Sequence, residues 1–341
     1  MGGLRAGAIT RQFPEQGITV CTGNDASLYV CPTFADSLFG ASLGAVINCL
    51  GIDIGGTKVA MRATGEGPRT HDTAFRWPQP GGPAQDLDAL AKGVEAVRDH
   101  WKEPIEAVGI AVPATLDSSG RVVTWPGRQG WTGLDLRREL HGLFPGALVR
   151  WADDGDLAAL AEAHEAGCEN LVYAGVGTGV GGGIVLDGRL CPGTARGSCE
   201  VGHMVVDPNG PLCDCGRRGC VQASVSGPAT LRRAAALRGG PVDFAELREA
   251  LERRLTWAVT AVDESCAGLA TALTSLSEVI HPEQVVVGGG FAAGLPGFVE
   301  EVARRTEALA RPGRPAVPVR RATLGGLSSL RGAVLLAQGA A

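Results

Sequence analysis

Val46-Ile47-Asn48-Cys49-Leu50-Gly51-Ile52-Asp53-Ile54 runs directly into Gly55-Gly56-Thr57-Lys58. The first part is a compact apolar run of the kind a buried strand presents, and the paired glycines end it in a tight turn. Two glycines let backbone N–H groups approach phosphate oxygens with no Cβ in the way. Thr57 adds a hydroxyl donor, and Asp53 can hold Mg²⁺ directly or through water. Alone, the segment also reads as a hairpin turn with a charged entry. The device recurs, however: Leu171 to Val176 feeds Gly177-Thr178-Gly179-Val180-Gly181-Gly182-Gly183, and Gln284 to Val287 feeds Gly288-Gly289-Gly290. Three glycine turns, each behind an apolar strand, argue for ligand-binding loops built from backbone.

Outward from these turns the pattern alternates. Lys58 to Arg62 reads as a second strand, Leu87 to Trp101 as a helix, and Ile105 to Val112 as a buried strand ended by Pro113. Leu157 to Ala166 is an alanine-rich helix, and Leu251 to Ile280 carries one long helical period. Such an order predicts an α/β protein whose ligand sits at the carboxyl ends of the strands. No Gly-x-x-x-x-Gly-Lys-Ser/Thr loop is present. The loose Gly177-x-Gly179-x-x-Gly182 match to the dinucleotide fingerprint runs on into Ile184-Val185-Leu186, a strand where that fingerprint needs a helix. Residues 1 to 45 show no sustained period and are expected to form a loose extension.

A chain of 341 residues is long enough for two lobes around one cleft. Its net charge of −5 offers no broad basic surface, and 5% aromatic content leaves little for base stacking, so no nucleic-acid or membrane partner is expected. Glycine, at 51 residues, is about twice its usual share of roughly 7%. The 10 cysteines open no disulfide framework in a chain this long without a signal-peptide pattern, so a reducing cytoplasm is the expected compartment. Leu38 to Leu50, the most apolar early stretch, is too short to cross a bilayer.

His203, Cys213, Cys215 and Cys220 form a Cys₃His set, and Gly216 and Gly219 allow the tight wrapping that a tetrahedral metal needs. Ligand type and count predict a closed, structural Zn²⁺ site. Cys21, Cys31, Cys49, Cys168, Cys191, Cys199 and Cys266 read as ordinary thiols, with Cys199 placed beside Glu200. Asp153-Asp154-Gly155-Asp156 precedes the alanine-rich helix. Local sequence alone explains these acids as helix caps. Trp125 and Trp131 bracket a glycine-rich segment and fit either a cleft lining or core packing.

Together these residues resemble the ROK family of repressors, open-reading-frame proteins and sugar kinases, which includes glucokinases and N-acyl hexosamine kinases. The resemblance runs from about Val46 to near the C-terminus. It rests on Asp53 to Lys58, the acidic segment before Leu157-Ala158-Ala159-Leu160-Ala161-Glu162, Gly177 to Ile184, Glu200-Val201-Gly202-His203 and Cys213-x-Cys215-Gly216-x-x-Gly219-Cys220. It implies an actin-like (ribonuclease H-like) two-domain sugar kinase fold with ATP in the interdomain cleft, and a homodimer. The domains are expected over 46–154 and 155–322, with a C-terminal helix in 323–341 packing back on the first. Asp154 is implied as the base that accepts the proton of the attacking terminal hydroxyl. Asp53, Gly55, Gly56, Thr57 and Lys58 are implied as the first phosphate loop, and Gly177, Thr178 and Gly179 as the second. Gly289 and Gly290 would form a wall near the adenosine. Glu200 and His203 would hold the C1 and C2 side of the sugar.

Three departures bear on the substrate. The family usually has Asn before the catalytic Asp, and this chain has Asp153. An acceptor-only carboxylate cannot donate to a hydroxyl but pairs well with an ammonium group. A family Glu that touches the C1 and C2 hydroxyls is replaced by Gln222. A Pro-Asn pair is replaced by Pro126-Gly127, ahead of Gly130-Trp131. The expected substrate is therefore a glucose-like sugar or an analogue altered near C3 or C4, such as 3-amino-3-deoxyglucose (kanosamine) or a C7-cyclitol. The rival from another class is a ROK-type sugar-responsive repressor, for which the first 45 residues show no helix-turn-helix pattern. A sugar-binding protein without activity is a second rival.

Overall fold

The computed structural model describes residues 10–13, 18–22, 28–30, 48–79 and 81–340. It has two compact units, Met1–Val46 and Ile47–Ala341. In the first, β1 (Thr10–Phe13), β2 (Ile18–Thr22) and β3 (Leu28–Val30) pair antiparallel in that order, where the sequence pattern indicates no element. The rest of the extension expected over residues 1 to 45, with Cys31, lies outside the described residues.

The second unit begins with an antiparallel meander of β4 (Cys49–Ile54), β5 (Lys58–Thr64) and β6 (Thr70–Arg76). Helix α1 (Pro83–Trp101) crosses over to β7 (Ala107–Ala111), and a small hairpin of β8 (Thr115–Leu116) and β9 (Val122–Thr124) follows. Then α2 (Leu136–Leu143) leads to β10 (Leu148–Ala152). Helix α3 (Asp154–Ala166) carries the chain to a second meander of β11 (Leu171–Val176), β12 (Val180–Leu186) and β13 (Arg189–Cys191). Four helices come next: α4 (Val221–Val225), α5 (Gly227–Arg238), α6 (Phe244–Glu252) and α7 (Thr256–Ile280). The chain closes with β14 (Gln284–Gly288), α8 (Gly290–Gly294), α9 (Phe298–Ala308), β15 (Val319–Arg321) and α10 (Ser328–Ala337).

The two sheets share one plan. Their strand orders are β6-β5-β4-β7-β10 and β13-β12-β11-β14-β15, each an antiparallel meander continued by parallel strands. Leu50, Ile52, Ile54, Val108 and Ile110 pack under Leu90, Val94 and Trp101 of α1 and Leu136 and Leu140 of α2. Val172, Ala174, Val176, Val285 and Val287 form a second core with Ala261, Leu269 and Leu273 of α7 and Phe298 of α9. Strands buried on both faces lose their alternation, which is why β4, β7 and β11 read as continuous apolar runs.

The other face of β4 and β7 is covered by α10. A Cβ on Gly109 would collide with the Ala333 carbonyl, one on Gly51 would lie 2.6 Å from Val334, and one on Gly332 would collide with the Leu157 carbonyl. Helix α10 is thus wedged between the first sheet and α3. Glu162 of α3, 2% exposed, accepts from Thr323 N, Leu324 N and the Ser328 hydroxyl at 2.8–3.1 Å and pins the chain as it enters α10. A carboxylate so deeply buried is tolerable because donors surround it.

The long helix expected over Leu251 to Ile280 is present as α7 but starts at Thr256, because Leu251 still belongs to α6. Arg254 takes the left-handed conformation (φ 54°), and the Leu255 N–H returns to the Ala250 carbonyl at 2.9 Å. Leu247 and Ala250 before the turn and Ala258 and Ala261 after it all face the core, so the apolar period reads through the break. Among the described residues no helix is long and apolar enough to cross a membrane.

Candidate functional site

The three glycine turns all lie at carboxyl ends of strands, following β4, β11 and β14. Gly56, Thr57, Lys58, Thr178 and Gly290 are exposed although the strands behind them are buried. In the first turn Gly55 N donates to Lys58 O at 3.0 Å, and the Trp77 indole N–H donates to Gly55 O at 2.8 Å. In the second, Gly177 N donates to Gly179 O and Gly227 N donates to Gly177 O, both at 2.9 Å. Gln222 Oε1 accepts from Val180 N at 3.1 Å and would be 2.7 Å from a Cβ at Gly179. Gln222, read from sequence as a sugar contact, therefore directs this oxygen at the second turn. Gly289 (φ 86°) packs against the Val176 backbone, where a Cβ would collide, so the third turn buttresses the second.

β10 ends where α3 begins. Asp153 caps that helix, its side chain accepting from Gly155 N at 2.9 Å, and Asp154 is the first helical residue. The first turn of α3 lies on β12, whose bare glycines permit the approach. A Cβ on Gly183 would come within 2.6 Å of Asp156 Cα and of Gly155 O. Asp156 is 4% exposed and accepts from Cys199 N at 3.3 Å, which tethers the segment carrying Glu200. Ser198 Oγ donates to Glu200 Oε1 at 2.9 Å.

Burial dominates the electrostatics here. It pushes Asp53 up to about 6, with the charge of Asp154 adding and Lys58 opposing. Asp153 rises to about 8 through burial, then through Asp154, Asp156 and Glu200, against the Gly155 N–H bond. Asp156 rises to about 7 through burial, with Glu200 and Asp154 adding against the bond from Cys199. Asp154 is raised by burial, opposed by backbone N–H groups. Lys58 is the one cation acting on these four carboxyls among the described residues. Burial and mutual crowding of this kind raise the carboxyls and favour a cation placed beside them.

The thiols and imidazole predicted as metal ligands are brought together. The donor atoms of His203, Cys213, Cys215 and Cys220 all lie within 4.8 Å of one another. His203 Nδ1 is 3.7 Å from Cys213 Sγ, and Cys215 Sγ is 3.6 Å from Cys220 Sγ. Tetrahedral Zn–S bonds of about 2.3 Å set ligand atoms about 3.7 Å apart, so the set fits zinc. Nδ1 faces the cluster, which leaves Nε2 of His203 for another partner.

Asp156 escaped the sequence reading, because an acid in the first helical turn is explained by capping and dipole effects alone. Trp125 and Trp131, at 2% and 1% exposure, are core residues. Cys199 acts through its backbone N–H.

The ROK family model matches residues 49–340. A kanosamine kinase of Amycolatopsis mediterranei is 52% identical over 288 residues, 84% of this chain and 95% of that protein. A ROK hexokinase from Thermus thermophilus superposes with a TM-score of 0.77 at 33% identity, covering 86% of this chain and 98% of that one. A ROK family glucokinase from Streptomyces griseus in complex with glucose and AMPPNP superposes with a TM-score of 0.70 at 27% identity, covering 86% and 99%.

Proposed function

The chain belongs to the ROK family, and from that premise we propose that it passes the γ-phosphoryl group of ATP to the terminal hydroxyl of an amino sugar, 3-amino-3-deoxyglucose. It is a sugar kinase with the actin-like two-domain fold of its structural neighbours. The observation that carries the choice of sugar is Asp153, a carboxylate pushed up to about 8 first by burial and then by the charges of Asp154, Asp156 and Glu200 beside it. An ammonium at C3 relieves that crowding, whereas a neutral hydroxyl leaves it standing. The 52% identity to a kanosamine kinase supports the same reading.

In the proposed reaction the sugar hydroxyl attacks the γ-phosphorus. A new P–O bond forms, the bond to the bridging oxygen breaks with its electron pair leaving on ADP, and the hydroxyl proton passes to Asp154. Positioning and charge stabilisation carry most phosphoryl transfer, with the carboxylate orienting the nucleophile. Gly55, Gly56, Thr57 and Lys58 on one side and Gly177, Thr178 and Gly179 on the other offer donors to the phosphates, with Gly289 and Gly290 toward the adenosine. Mg²⁺, when bound near Asp53, supplies neutralising charge for the phosphate oxygens. Glu200 and the free nitrogen of His203 would face the sugar; His203, Cys213, Cys215 and Cys220 would hold a structural Zn²⁺, which when bound would fix the orientation of that imidazole. The domains on this reading span 46–154 and 155–322, with 323–341 returning to the first. A homodimer in a reducing cytoplasm completes the proposal.

Steady-state kinetics with glucose, 3-amino-3-deoxyglucose, N-acetylhexosamines and C7-cyclitols test it, on the wild-type enzyme and on Asp153→Asn. The amino sugar is expected to lead in kcat/KM for the wild type, and Asp153→Asn to move the preference toward glucose by about tenfold or more, the scale of one lost charged hydrogen bond. A wild-type preference for glucose overturns the choice of sugar.

A further inference from the structure

Behind the first glycine turn lies a buried cluster that the reaction above does not use. Asp86 of α1 is fully buried, and its Oδ2 accepts from Arg128 Nη1 and, at 2.8 Å, from the Trp131 indole N–H. The Arg128 side chain is 9% exposed, and its guanidinium lies over the Trp77 ring, 4.4 Å from the centroid. Trp77 reaches the turn itself: its indole N–H donates to Gly55 O at 2.8 Å, and its backbone N–H to Thr57 O at 3.3 Å. An unbroken series of contacts thus runs from α1 to the residues proposed to receive the phosphates.

As a stabilising device the cluster is poor. Asp86 Oδ1, Arg128 Nε and Trp125 Nε1 are buried without a partner among the described residues. A cavity of about 260 Å³ opens beside Asp86 and Arg128, lined also by Gly56, Gly127 and Trp131. Buried ion pairs left partly unsatisfied are often matched or bettered by apolar side chains of similar volume. What such a side chain cannot do is hold an indole N–H on a carbonyl.

The geometry points to Trp77 as a positioning residue for the first glycine turn, with Arg128 and Asp86 holding its ring in place. The Gly55 carbonyl and the Gly56 N–H belong to one planar trans peptide and point in opposite directions. Anchoring the oxygen on the indole therefore aims the Gly56 N–H away from the protein, toward the ligand side. Flanked by two glycines, that peptide plane has little steric resistance to flipping, so an external anchor is needed to hold it. The inference rests on the proposed role of this turn in binding ATP.

Trp77→Phe keeps a ring under the guanidinium and removes only the N–H, and Arg128→Met keeps the stem while removing the charge. Both are expected to raise the KM for ATP and the Kd of the analogue AMPPNP, Trp77→Phe by about 3- to 10-fold, the worth of one neutral hydrogen bond. The KM for the sugar should move less than about twofold; the melting temperature should fall in Arg128→Met, which leaves the buried Asp86 carboxylate without its cation, and less in Trp77→Phe. Nucleotide affinity is measured by calorimetry without sugar, so it does not depend on which sugar is accepted. If the wild type binds no adenine nucleotide, the reading of the turn fails and this inference with it. If the wild type binds and both variants bind equally well, or if neither variant folds, this inference alone is overturned.

Discussion

The glycine turns after β4 and β11 occupy the same station in two sheets of the same plan, yet they are held by different chemistry. The turn after β4 is anchored from outside by the Trp77 indole on Gly55 O. The turn after β11 is held by backbone at Gly177 and by the Gln222 amide on Val180 N, and the glycines of β12 beyond it let α3 lie directly on the strand. A meander with a turn at its parallel edge fixes where the turn peptide sits but leaves open how it is oriented. In the first half orientation comes from a buried aromatic and ionic cluster. In the second it comes from close packing, and that packing also brings Asp153, Asp154 and Asp156 together at the start of α3.

The halves are expected to differ most in dependence on a metal, because His203 and the three thiols, a set that fits zinc, belong to the second alone. Structural zinc binding is worth roughly 10–16 kcal/mol in zinc-finger peptides. Removing it, by a chelator or by Cys220→Ser, is expected to strip one zinc per chain and to expose the Leu212–Arg218 region to proteolysis and hydrogen exchange. Exchange in β4, β5 and β6 should stay as it was. Protein purified metal-free with the same protection throughout would erase this difference between the halves.

Next in size is Asp154, where the last strand of the first sheet delivers its chain to the second. Asp154→Asn should lower kcat by about 10²–10⁴-fold, the usual worth of general-base assistance. Melting temperature should not fall, since burial raises the carboxyl and disfavours its charged form. The sign extends to pH. Asp53, Asp153 and Asp156, with folded pKa values of about 6, 8 and 7, hold more protons folded than unfolded between pH 4 and pH 8. Their contribution is therefore fully present below about pH 4 and is lost as pH rises through those values. In that window they should lower the melting temperature of ligand-free protein with rising pH, and Asp154→Asn should flatten the trend. Full turnover in Asp154→Asn would remove the carboxylate from the reaction.

Which parts of this contrast a sequence can show follows from the range of the interactions. Val46 to Lys58 and Leu171 to Gly183 are legible because a buried strand and its turn are contiguous. The Cys₃His set is legible because ligand identity alone nearly names the metal. The duplicated sheet plan is not, since strand order carries no residue repeat. Nor is the Asp86–Arg128 pair, whose members are far apart in the chain and each ordinary in its own segment. The three strands in residues 10 to 30 are too short to set up a period, and the break at Arg254 is made by a non-glycine residue in a left-handed conformation. Gln222 reads as a lost charge in the pocket until the Val180 N–H beside it is seen.

The smallest effects come from testing the turns with single methyl-sized changes. Gly56 has negative or extended φ, and a Cβ there would come no closer than 3.7 Å, to Pro126 O. Gly56→Ala should therefore fold with a melting temperature within about 1 °C of wild type, yet raise the KM for ATP several-fold, because the methyl stands where a phosphate approaches. Gly183 faces Asp156 Cα, Gly155 O and Ala159 Cβ, all within 2.7 Å of a built Cβ. Overpacking of this kind costs typically about 1–3 kcal/mol, or roughly 1.5–5 °C in a chain of this size, so Gly183→Val should lose stability first and activity with it. If both variants lost stability alike, the first turn would also be held by close packing, and Trp77 would have no separate task. If Gly183→Val kept its stability, α3 would not depend on bare strand. The route that brings Asp154 to the second sheet would then need another explanation.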